Sequence, residues 1–198
     1  MHERRIRERG RRRERCQCGR RERDAEPLPT LRAVADRQGV LLSPDEVLTR
    51  YKDGPRTGLF TDGSCEGNPG PGGWGVVWVE DDRIVESRSG SEAQTTNNRM
   101  ELRALIEAFR LLPAGARTTV YSDSQLCVKT VNEWAAGWAA RGWRRKSGPI
   151  ANLELVQELY GLALAHPGVQ LTWIAAHDGS RWNEYADALA TTYLRERG

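Results

Sequence analysis

Cysteine, histidine and long apolar runs are all scarce in this chain, and each shortage closes a class of function. Four cysteines, Cys16, Cys18, Cys65 and Cys127, make no extracellular disulfide framework, which predicts reduced thiols in a cytoplasmic protein. Histidine numbers only three, too few with those thiols for a zinc centre. Cys16-Gln-Cys18 lacks the downstream pair that a metal knuckle needs. No apolar run approaches the roughly 20 residues of a membrane span. The arginine-rich N-terminus has no apolar h-region, so it does not read as a secretory signal. Glu3, Glu8, Glu14 and Glu22, with no serine among them, speak against a mitochondrial transit peptide.

Charge, by contrast, is plentiful and unevenly distributed over the 198 residues. Residues 1–23 hold eleven Arg against four Glu, a charge of +7, while the remaining 19 basic and 23 acidic residues sum to −4. A basic arm on a mildly acidic body suits a tail that binds nucleic acid; a solvated, disordered leader, or a start codon assigned too early, is the other reading. The chain divides into a low-complexity arm at 1–26 with too little apolar surface to order itself, a short helical extension and linker at 27–56, and a domain at 57–198. Within the extension Ser43-Pro44-Asp45-Glu46 reads as a helix start, with Ser43 at the N-cap and Pro44 at N1. Asp53-Gly-Pro55 joins it to the domain.

The domain alternates strand and helix. Strands are expected near 57–62, 73–79, 83–89, 117–122 and 169–175, the second and third joined at Glu80-Asp81-Asp82. Helices are expected at 97–112, in shorter pieces across 124–140, at 150–165 and at 181–195. Leu102, Leu105, Phe109 and Leu112 have helical spacing, and Pro113 stops that helix. Three strands followed by helix–strand alternation predict an α/β fold with a mixed sheet flanked by helices. Trp74, Trp78, Trp173 and Trp182 read as packing residues.

Four carboxylates sit in contexts that call for a cation. Asp62 closes the run Thr57-Gly-Leu-Phe-Thr-Asp62 and Asp123 follows Thr118-Thr-Val-Tyr121, so parallel neighbouring strands would deliver both to one edge. Glu101 continues the stripe Leu105, Ala108, Leu112, and Asp187 lies with Ala190 and Leu194 on the less polar side of the last helix. Acids so placed are costly unless a cation meets them. A hard, oxygen-seeking ion such as Mg²⁺ suits such a set, with Mn²⁺ as an alternative.

The strings Phe60-Thr-Asp-Gly-Ser-Cys65, Asn68-Pro-Gly-Pro-Gly-Gly-Trp-Gly75, Thr96-Asn-Asn-Arg-Met-Glu-Leu102 and Tyr121-Ser-Asp-Ser-Gln125 resemble the type I ribonuclease H family, bacterial type. His177 ten residues before Asp187, in Asn183-Glu-Tyr-Ala-Asp-Ala-Leu189, adds a fifth motif, and all five stand in family order over roughly 57–195. The resemblance implies the five-stranded ribonuclease H-like fold. It also implies that Asp62, Glu101, Asp123 and Asp187 hold two Mg²⁺ ions when substrate is bound, and that His177 is a mobile histidine serving proton transfer or product departure. Ala175-Ala176 and Ser180 depart from the pattern, where relatives often carry Lys-Gly and a second His. Glu184 is either an outer-shell acid or a first-turn acid.

Substrate contacts follow in the same way. Cys65, Asn68 and Gln125 flank the acids, and the two amides can read a minor-groove base edge or a ribose 2′-hydroxyl. Thr96, Asn97, Asn98 and Arg99 form a polar turn at a helix N-terminus, suited to phosphate. By resemblance Thr96 and Arg99 hold a DNA-strand phosphate, although the Asn that completes the family's pocket aligns with Gly137. Trp134, Trp138 and Trp143, interleaved with Arg144, Arg145 and Lys146, resemble the basic handle of bacterial members; the other reading of Trp134 and Trp138 is a core helix. The function expected is that of a monomeric endonuclease, without membrane attachment, that cleaves the RNA strand of RNA–DNA hybrids and leaves 5′-phosphate and 3′-hydroxyl ends. The alternatives are a non-catalytic module of the same fold binding hybrid or double-stranded RNA, and a DNA-directed nuclease of the superfamily. Clustered acids disfavour the first, and the Asn68, Asn98, Gln125 set with the handle disfavours the second.

Overall fold

In the computed structural model, residues 41–145 and 147–196 are described. The arm at 1–26, residues 27–40 of the extension and Lys146 lie outside them. The first described helix, α1 (Pro44–Arg50), begins as its sequence predicts. Ser43 Oγ accepts the Glu46 amide at 3.4 Å while the Glu46 carboxylate accepts the Ser43 amide at 2.7 Å, a reciprocal capping box. Val47 on this helix is fully buried.

Five strands form one mixed sheet: β1 (Gly58–Cys65), β2 (Gly70–Glu80), β3 (Arg83–Thr95), β4 (Thr118–Ser122) and β5 (Val169–Trp173). Their order is β3-β2-β1-β4-β5. The first three pair antiparallel, β4 runs parallel to β1, and β5 runs parallel to β4. Glu80 pairs with Arg83 across Asp81 and Asp82, whose φ values of 49° and 61° are those of a two-residue type I′ turn.

Alternation along the strands feeds two cores. Leu59, Val76, Val120 and Leu171 face α2 (Asn97–Leu111), α3 (Gln125–Lys129) and α5 (Leu153–Ala165). Phe60, Val77 and Val79 face α1 and α6 (Arg181–Ala190), meeting Trp182, Tyr185 and Ala186. A sheet covered on both sides explains strands such as Val76-Val77 that are apolar on successive residues.

Several boundaries differ from the expectation. The 124–140 region is α3, then a π-helical turn at Thr130–Trp134, then α4 (Ala135–Ala139). Helix α5 starts at Leu153 because Asn152 adopts a left-handed φ of 51°. The last helix is two, α6 and α7 (Thr192–Arg195), since the Thr191 hydroxyl donates to the carbonyls of Asp187 and Ala188 at 2.9 and 3.4 Å. Trp173 is not a packing residue: it is 45% exposed at the end of β5.

Candidate active site

Two close backbone approaches build the site. A Cβ on Gly63 would sit 2.2 Å from the Glu101 amide nitrogen, so α2 crosses β1 in direct contact and carries Glu101 to the residue beside Asp62. On the other face a Cβ on Gly75 would sit 2.4 Å from the Ala186 carbonyl, so α6 lies directly on β2. Gly75 is the register partner of Asp62, which brings Asp187 alongside Asp62. Sequence reasoning missed both glycines as builders of the site, although each lies within a family motif.

Asp62 is not at a strand end as expected. β1 continues to Cys65 because Gly63, Ser64 and Cys65 pair with Trp74, Gly73 and Gly72. The parallel neighbour β4 stops at Ser122, opposite Thr61, so Asp123 emerges one step on at the level of Asp62. One carboxylate oxygen from each of Asp62, Glu101 and Asp123 lies within 4.8 Å of the others. Asp187 is buried next to this triple rather than within it, close enough to act on the Asp62 carboxyl directly.

Burial, then the mutual repulsion of Asp123, Glu101 and Asp187, pushes the Asp62 carboxyl well above the usual carboxylate range. Burial and Asp123 do the same to Glu101, against hydrogen bonds from Asn97 and the Gly63 backbone. Asp123 is raised by burial, with the Asn183 amide opposing; the Asn183 Nδ2 donates to its Oδ2 at 3.4 Å. Glu101 Oε2 is buried with no protein hydrogen-bond partner. A buried, unpartnered oxygen inside a cluster of like charge is what a hard cation relieves, so the donor set fits a divalent metal.

His177 occupies the loop between β5 and α6 at a left-handed φ of 50°. Its Nδ1 lies 3.9 Å from Glu184 Oε2, an ion-pair distance. Glu184 raises the imidazole above its ordinary value while burial works against it, and Asp187 and Asp123 add to the rise. Glu184 is itself buried, accepts the Gly179 amide at 3.4 Å and lies in the first turn of α6, so it is a first-turn acid whose carboxylate also faces His177. The exposed Trp173 holds the other side of the cluster: its indole N–H donates to the Asp123 carbonyl at 3.0 Å.

The expected substrate residues separate into groups. Asn68 Oδ1 accepts the Asn97 amide at 3.0 Å, so it caps α2, a task that the Thr96 side chain leaves open. Arg99 is already paired, to Glu154 Oε1 at 2.6 Å and Asn152 Oδ1 at 3.3 Å. The Asn98 carboxamide accepts from the Cys127 thiol at 3.5 Å, and burial pushes that thiol up to about 12. Cys65 turns its thiol to the Thr95 and Gly70 carbonyls, which leaves its backbone for any substrate contact. Gln125 is exposed at the start of α3.

In the handle, Trp134 is 36% exposed and tilts against Trp138 at 5.9 Å, while Trp138 also packs on the core. Trp143 contradicts the expectation of a groove contact. It meets Tyr160 edge-on at 5.9 Å and packs against the core, because a φ of 61° turns it inward. The same turn leaves Arg144 and Arg145 exposed.

A family model described as RNase H matches residues 55–195. The chain is 49% identical over 141 residues to a ribonuclease H of Methylorubrum extorquens, covering 71% of this chain and 61% of that longer relative. It is 47% identical over 139 residues to a ribonuclease H of Bordetella pertussis, covering 70% of this chain and 88% of the relative. Among solved structures it is similar to LC9-RNase H1, described as a type 1 RNase H with the type 2 active-site motif. That likeness has 38% identity and a TM-score of 0.61, over 74% of this chain and 76% of the other.

Proposed function

The chain belongs to the ribonuclease H family, and from that premise we propose that it is an endonuclease hydrolysing the RNA strand of RNA–DNA hybrids to 5′-phosphate and 3′-hydroxyl ends. The observation that carries the reading is the convergence of Asp62, Glu101 and Asp123 within 4.8 Å beside the buried Asp187. These four would hold Mg²⁺, or Mn²⁺ in its stead. Two such ions, when bound, supply activation of a water, neutralisation of the scissile phosphate and relief of charge on the departing 3′ oxygen.

The chain's own residues do the rest. Asn183 orients Asp123 through its carboxylate and Trp173 through its carbonyl, so the acid presents one fixed face. His177, kept protonated to higher pH by Glu184, holds a proton at the rim for transfer to or from the reacting phosphate. Trp134, Arg144 and Arg145 grip the sugar–phosphate backbone without reading sequence. Arg99 serves a DNA-strand phosphate by exchanging it for the exposed Glu154, a cheap exchange because surface ion pairs are weak.

A binding module without catalysis is the less economical reading, because a cluster of buried acids repels phosphate unless cations offset it. The test is incubation of labelled RNA–DNA hybrid, RNA duplex and DNA duplex with and without Mg²⁺. Cleavage of the hybrid alone, only with metal, and ends that ligate as 5′-phosphates are expected; metal-independent cleavage or intact hybrid would overturn the reading.

A further inference from the structure

The family match begins at residue 55, yet the segment just upstream is built into the neighbourhood of His177. Asp53 pairs with Ser180 in an isolated parallel bridge, and its carbonyl accepts the Arg181 amide at 2.8 Å. That amide is in the first turn of α6, whose donors have no partner inside the helix. Ser180 makes no side-chain cap there. The extension therefore caps the helix that carries Glu184 and Asp187.

Gly54 makes the bridge possible. Its φ is 108°, and a Cβ there would sit 2.6 Å from Ser180 Oγ. Tyr51 closes over the same loop, its Cδ1 4.0 Å from where a Gly179 Cβ would be, and packs against the core cluster to which Trp182 and Tyr185 belong. The phenol is raised by burial and by the negative charge of Glu184 and Asp187, which agrees with a ring lying beside the candidate site. Upstream, the segment is anchored by the buried Leu42 and Val47. Arg195 bridges it to α6, donating to the Leu42 carbonyl at 3.0 Å and to the Ala188 carbonyl at 2.7 Å. The near end of the histidine loop is fixed by the Ile174 amide on the Ser122 carbonyl at 3.0 Å. The far end is fixed by residues outside the family domain.

We propose that Tyr51–Gly54 is a strap that fixes the His177 loop and the first turn of α6, with Tyr51 and Gly54 as positioning residues for the reaction. The proposal rests on the reading of His177 given above. It makes the rate depend on a segment that lies just ahead of the family match, by limiting how far the loop can open.

The experiment uses the full chain with Gly54→Ala, Tyr51→Ala and Tyr51→Phe, each also on a His177→Ala background. In Gly54→Ala and Tyr51→Ala, amide exchange at Gly179, Arg181 and Glu184 is expected to quicken roughly tenfold while the β2–β3 hairpin is unchanged. Turnover on hybrid is expected to fall about 3- to 10-fold with KM unaltered. Tyr51→Phe keeps the ring and should behave as wild type. On the His177→Ala background a smaller further loss is expected, because only the hold on the first turn of α6 is then left to lose. Unchanged exchange at those amides overturns the strap, and so does an equal fall in turnover with and without His177. An inert His177→Ala, in contrast, defeats the histidine reading alone, and the exchange result then decides the strap by itself.

Discussion

Asp62 shows how one residue sets stability and chemistry against each other. Burial and three neighbouring carboxyls raise its titration far above the ordinary carboxylate value of 3.8. A group raised on folding stabilises the native state below its unfolded pKa, and that contribution is lost as pH rises through the folded value. The cation-free protein is therefore destabilised by its own site at neutral pH. Asp62→Asn should abolish cleavage, yet in chelator at pH 7 it should unfold at a higher temperature than wild type. Mg²⁺ should raise the wild-type midpoint and move the variant far less. A variant no more stable in chelator, or one that still turns over, removes Asp62 from the metal site.

His177 shows the same pH dependence with the opposite charge. Its imidazole is held above 6.5 chiefly by Glu184, so the stabilising pair is complete below that value and is lost as pH rises through the higher folded one. Glu184→Gln should move the imidazole titration, followed by its ring proton resonances, to lower pH. An unmoved midpoint would mean that the 3.9 Å pair has no electrostatic consequence.

At the scale of elements, the site exists because two helices touch two strands without intervening side chains. A methyl on Gly75 meets the Ala186 carbonyl and the Leu189 side chain at 2.4 and 2.6 Å, leaving α6 no way to remain seated. Gly75→Ala should cost about 1–3 kcal/mol, as overpacked cores do. It should cost activity more heavily, on the order of 10²-fold, because Asp187 and Glu184 move with the helix. Gly161→Ala is the counterpart: a Cβ there meets nothing within 4 Å in the middle of α5. That change should stabilise by roughly 0.5–1 kcal/mol and leave turnover alone. Urea midpoints and hybrid cleavage rates on the two variants decide the matter, and similar behaviour of both would refute the contact argument.

For the whole molecule the governing feature is the charge imbalance between the first 23 residues, at +7, and the remainder, at −4. Each phosphate that a cation neutralises releases condensed counterions and steepens the dependence of affinity on salt. Four interspersed glutamates compete for the eleven arginines, so removal of residues 1–23 should flatten the slope of log affinity against log salt by the equivalent of about two to four phosphate contacts. The active site itself should be unaffected. Equal slopes would leave the sequence-independent grip to Trp134, Arg144 and Arg145.

What the sequence determined by itself was much of what depends on neighbours along the chain. Ser43 capped its helix, Asp81 and Asp82 made their turn, and β-branched runs became strands, because these are decided within a few residues. The four acids were legible for the same reason, since each lies in a short motif that keeps its chemistry wherever the fold carries it. Only the tertiary structure decided what depends on partners distant in sequence. It extended β1 past Asp62 by pairing with β2, and it joined Arg99 to Glu154, 55 positions away. It turned Trp143 inward and Trp173 outward, which no periodicity distinguishes. Above all it seated α2 and α6 on glycines of β1 and β2 and tied Asp53 to Ser180. A glycine shows in the sequence only that a side chain is missing; which backbone fills the space is settled by the packing of the two sheet faces.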